Sequence, residues 1–78
     1  MTDLIMDQWW NTLGDDEEHL LQVRNVRQQS GMVVGRVVAL RNIAQSFRAE
    51  AWRNGGWVAV RDCATPQLAF QAIAEALA

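Results

Sequence analysis

Asn54-Gly55 is the most restrictive dipeptide in the chain. Both central residues of a type I′ turn need positive φ, and Asn-Gly adopts it at low steric cost. The dipeptide therefore predicts a two-residue hairpin with strands over 47–53 and 57–62. A register follows. Arg53 opposes Gly56, Trp52 opposes Trp57, Ala51 opposes Val58, Glu50 opposes Ala59, Ala49 opposes Val60, and Arg48 opposes Arg61. Side chains alternate along a strand. One face then carries Phe47, Ala49, Ala51, Val58 and Val60, and the other carries Arg48, Glu50, Trp52, Trp57, Ala59 and Arg61. A three-residue loop including Gly56 would change that register.

The hairpin leads into a helix over 66–77. Thr65 is a good cap, and Pro66 suits the first helical position, where a missing N–H costs nothing. Leu68, Ala69, Ala72, Ile73, Ala76 and Leu77 make a wide apolar arc. Its alanines let it lie close on a sheet, and Phe47, Ala49, Ala51, Val58 and Val60 are its natural bed.

Before the hairpin, residues 32–40 read as a strand rich in β-branched valine. It is apolar on both faces, which calls for cover on both. Residues 15–29 read two ways. Acids 15–18 followed by Arg24 and Arg27 suit a helix matched to its dipole. A strand over 20–28 turning at Ser30-Gly31 is preferred, because the helical apolar stripe is poor. Residues 3–13 read as a helix: Ile5, Met6, Trp9, Trp10 and Leu13 share one arc of a 3.6-residue wheel, and Gly14 suits the position past its end. The expected fold is a single α+β domain over 1–78. It has a small antiparallel sheet of three to four strands, with an N-terminal and a C-terminal helix packed on it.

A chain of 78 residues, half of them hydrophobic, can build one core but not two. No apolar run approaches the ~18 residues of a membrane span, so no membrane association is expected. The acidic start at Met1-Thr2-Asp3 reads as no secretory signal. A lone Cys63 suits a reducing compartment, the cytoplasm. Charge is segregated. Residues 1–18 hold six acids and no base, whereas all seven arginines lie between 19 and 61 against Glu50 alone.

Few residues could carry chemistry. His19 is the only histidine and Cys63 the only cysteine, whereas a zinc site needs three or four ligands. A Cys63–His19 pair would also need an orienting group and an oxyanion site. The run Asp15-Asp16-Glu17-Glu18 reads as a solvated surface, its contiguous acids pointing different ways; the sharper alternative is mimicry of phosphates in a partner's nucleic-acid site. The glycines form no phosphate loop. The expectation is therefore no catalytic, metal or cofactor site, and no enzyme.

The four tryptophans are the most informative residues. Trp9 reads as core with Trp10 at its flank. Trp52 and Trp57 form a cross-strand pair, a type that stabilises hairpins by about 0.2–1 kcal/mol. The same pair, flanked by Arg48 and Arg61, has the composition of an interface hot spot. Either helix 3–13 covers this face, or a second subunit or partner does. Trp52, Trp57, Arg48 and Arg61 are the candidate partner-binding residues.

The stretch Gly55-Gly56-Trp57-Val58-Ala59-Val60, followed by Thr65-Pro66-Gln67-Leu68-Ala69 and the helix to Leu77, resembles the C-terminal end of small phage and prophage α/β-sandwich proteins. The resemblance covers about the last third of the chain. It implies an accessory protein of a phage or mobile element, for which inhibition of a host protein is one role. The leading expectation is a non-enzymatic protein-interaction module that binds a partner or itself as a homodimer. The alternative is a nucleic-acid binder, with arginines of the sheet region neutralising phosphates and tryptophans stacking bases.

Overall fold

A computed structural model describes residues 3–13, 20–40 and 46–77. They form β1 (Leu4–Met6), β2 (Trp10–Leu13), β3 (Leu20–Gln28), β4 (Val33–Ala39), β5 (Phe47–Arg53), β6 (Gly56–Cys63) and α1 (Pro66–Leu77). All six strands join one antiparallel sheet in the order β1-β3-β4-β5-β6, with β2 also paired to β3. β1 pairs with the end of β3 and β2 with its start, both on the edge away from β4. Together they act as one edge strand, interrupted at Asp7–Trp9.

Local chemistry explains the turns. Asn54 and Gly55 have φ of 53° and 78°, as a type I′ turn requires. Between β3 and β4, the Gly31 amide donates to the Gln28 carbonyl at 2.8 Å, with Gly31 at φ 93°. That is a three-residue hairpin loop closed by a left-handed glycine. At the start of α1, the Leu68 amide donates to Thr65 Oγ1 at 3.1 Å, so Thr65 is the cap. At its end, Arg53 donates to the Ala76 carbonyl at 2.7 Å, and a cation there complements the helix dipole. Thr65→Ala is expected to cost about 1 kcal/mol, a fall in Tm of about 4–8 °C. Thermal denaturation checks this, and an unchanged Tm would show that the cap contributes nothing.

α1 packs across β4, β5 and β6. Val26, Val37 and Ala49 of the sheet and Ala69, Ala72 and Ile73 of α1 form the buried cluster between them. Small residues on both surfaces bring helix and sheet together, and Gly35 sets the distance. A Cβ there would lie 2.7 Å from Ile73 Cγ2 and 2.9 Å from the Glu50 carbonyl oxygen. Val23 and Val38 are also buried but lie outside this cluster. Alternation after Val37 puts Val38, and its pairing partner Val23, on the face away from α1.

The structure corrects the expected fold. It is a six-stranded sheet rather than one of three to four strands, with α1 the single helix among the described residues. The helix expected over 3–13 is absent: Leu4–Met6 and Trp10–Leu13 are strands instead. The physical reason is the bulge. Met6 pairs with Val26 and Trp10 with Val23, so three residues oppose two. The extra residue puts Met6 and Trp9 on the α1 side, where Met6 packs on the core and Trp9 meets Phe47 at 6.0 Å. Trp10 turns to the other side. A spacing of three on one face imitates a helix.

The expected hairpin register holds from Arg53–Gly56 to Glu50–Ala59 and then shifts. Val60 is an extra residue, so Ala49 opposes Arg61 and Arg48 opposes Asp62. The strand expected at 20–28, the strand at 32–40 and the helix at 66–77 are present within a residue or so. The acidic run Asp15–Glu18, His19 and Arg41 lie outside the described residues.

Candidate binding site on the face away from the helix

Each strand from β2 to β6 sends side chains to the face that α1 leaves uncovered. They surround a hollow of about 350 Å³, at the lower end of the ~300–1,000 Å³ typical of ligand pockets. β2 contributes Trp10 and Thr12, β3 Asn25, β4 Val33 and Arg36, β5 Trp52, and β6 Trp57. Trp10 is 47% exposed and Trp52 44%.

Lining side chains contact one another. Trp52 and Trp57 are direct cross-strand partners whose rings meet edge to face, with centroids 4.9 Å apart at 73°. This is a favoured aromatic geometry. The Arg36 guanidinium lies 4.4 Å from the Trp57 ring centroid. Its Nε donates to Glu50 Oε1 at 2.5 Å, and these side chains are only 12% and 13% exposed. Arg36 and Glu50 are register partners on β4 and β5, and Asn25 is the partner of Arg36 on β3. The guanidinium is thus fixed by a ring and a carboxylate, and the charge of the site is internally balanced.

Only part of the expected residue set comes together. Trp52 and Trp57 meet as the register predicts. Arg48 lies further along β5 and pairs with Asp62 at 3.1 Å, both half exposed. Arg61 is turned away by the Val60 bulge. It lines a second hollow between β6 and α1 with Leu68, Gln71 and Glu75. The hairpin register placed Glu50 on this face without nominating it, and sequence reasoning missed Trp10, Asn25 and Arg36. The available signal for Arg36 was its position as the one charge in Val33–Ala39.

Other arginines are engaged too. Arg27 pairs with the Asp7 carboxylate at 2.5 Å. Arg24 donates to the Asp7 carbonyl at 2.7 Å and lies 5.6 Å from the Trp9 ring centroid. These contacts hold the break between β1 and β2 in place. Among the described residues, no three His, Cys, Asp or Glu side chains gather as metal ligands do. No helix among them is long and apolar enough to cross a membrane. Comparison of the chain with protein-family models, with curated proteins and with solved structures finds no match.

Proposed function

We propose that this chain is a non-enzymatic protein-interaction module whose docking surface is the sheet face away from α1. The observation that carries this reading is the hollow between Trp10 and the Trp52–Trp57 pair. Trp10 and Trp52, half exposed beside Trp57 and a charge-balanced floor, have the composition of an interface hot spot. The role of a phage-type inhibitor of a host protein rests on the resemblance of the C-terminal third alone.

Nucleic-acid binding draws less support. Phosphate recognition needs free cations. Arg27, Arg36 and Arg48 are each matched by a carboxylate, and Arg53 is bound to the end of α1.

The test is capture of partners from lysate on immobilised wild type, on Trp52→Ala and on the exposed control Gln71→Ala. Protein and nucleic acid retained are both identified. A protein held by wild type and control but lost on a folded Trp52→Ala is expected. Because Trp52 is half exposed, its loss should lower Tm by no more than about 8 °C, or ~1 kcal/mol. Retention of nucleic acid alone, or of the same proteins on all three, would defeat the reading.

A further inference from the structure

The hollow has a chemical bias that narrows its occupant. Four of its seven lining residues, the three tryptophans and Arg36, carry hydrogen-bond donors and no acceptor. The Arg36 charge is already matched by Glu50, through Nε, which leaves the terminal guanidinium nitrogens as donors without a net demand for an anion. Thr12 and Asn25 both donate and accept, so donors outnumber acceptors across the lining, and a neutral, apolar ligand rich in acceptors complements most of it. A helical peptide has its carbonyls bonded internally and offers few. An extended β-strand brings a donor for every acceptor. A nucleic-acid strand brings a phosphate with each base, which the balanced charge does not reward.

A proline-rich segment fits each requirement. Proline has a carbonyl and no backbone N–H. In the polyproline II conformation no carbonyl is used internally, and the pyrrolidine rings suit aromatic walls. The lining runs from Trp10 on β2 across to Trp57 on β6. Four strand spacings of ~4.8 Å make roughly 19 Å. At ~3.1 Å per residue that is about six residues of polyproline II. We propose that the Trp10–Trp52–Trp57 hollow binds a neutral proline-rich segment of a partner protein, with Arg36 donating to its carbonyls. This rests on the interaction reading above and names the partner's chemistry.

Titration of the isotopically labelled full chain with a blocked proline decamer tests it. The readout is the indole N–H resonances, with a blocked Gly-Ser decamer, an aromatic-anchored helical peptide and a single-stranded oligonucleotide in parallel. Saturable shifts confined to Trp10, Trp52, Trp57 and neighbours are expected with the proline decamer only. Trp9 lies on the α1 side beside Phe47 and should stay fixed. Trp52→Ala and Trp10→Ala, each shown folded by its amide spectrum, should weaken binding about tenfold or more. No saturable shift with the decamer, or an equal response to Gly-Ser, overturns the proposal. So does a response to the helical peptide or oligonucleotide in its place. Failure here with Trp52-dependent protein capture intact removes the proline-rich occupant and leaves the interaction surface. Failure of both removes the surface.

Discussion

Replacing Gly35 by alanine is expected to destabilise the domain by about 3 kcal/mol, the upper part of the usual cost of overpacking. The added methyl has nowhere to go. Ile73 Cγ2 would stand 2.7 Å away and the Glu50 carbonyl oxygen 2.9 Å away. Ile73 is fully buried and cannot swing out without exposing the centre of the core. The Glu50 carbonyl belongs to the β5 ladder beside β4, so moving it breaks sheet geometry. A domain of this length holds only roughly 4–12 kcal/mol in total, so Tm should fall by about 12–24 °C. Ile73→Ala alone should cost about 2–5 kcal/mol through the cavity it leaves. The double variant should cost less than the sum by at least about 0.5 kcal/mol, because the new methyl enters the vacated space. Chemical denaturation of the three variants measures this. A Gly35→Ala protein as stable as wild type would show that α1 does not lie where Gly35 places it.

What could be read in the sequence follows from how local the causes are. Asn54-Gly55 and Thr65-Pro66 act over a few residues, and the hairpin and helix they define are present. The edge strand formed by β1 and β2 was hidden because its extra residue shifts the alternation halfway along. The apolar spacing of residues 5–13 then matches a helix better than a strand, and the long β3 supplies the partner that decides the matter. The Val60 bulge likewise leaves no compositional mark, so the sequence alone carries Arg61 to the wrong face. Arg36 and Glu50 are 14 residues apart, and the sequence between β4 and β5 holds no Asn-Gly or Pro-Gly dipeptide from which their register could be read. The Trp52–Trp57 half of the site was therefore legible, and the Trp10, Asn25 and Arg36 half was not.

Glu50→Ala is expected to be the most damaging change on the binding face, at about 3–5 kcal/mol, the usual cost of removing one partner from a buried ion pair. The cost arises from what remains. Arg36 stays charged and cannot reach bulk water easily, because its side chain is 12% exposed and stacked on Trp57. Its residual exposure argues for the lower part of that range. Replacing both members by apolar residues, as Arg36→Met with Glu50→Leu, should restore stability to within about 1 kcal/mol of wild type, since no charge is then stranded. The pair would thus contribute little net stability beyond that of an apolar filling. Its contribution is a guanidinium held in one orientation at the floor of the hollow. The double variant should therefore be folded, keep the Trp52–Trp57 pair, and fail to bind the proline decamer. Denaturation midpoints and the titration, run on the same three proteins, separate the two effects. A Glu50→Ala cost below about 1 kcal/mol would mean that Arg36 finds water as readily as a surface cation, and full binding by the double variant would remove Arg36 from the site.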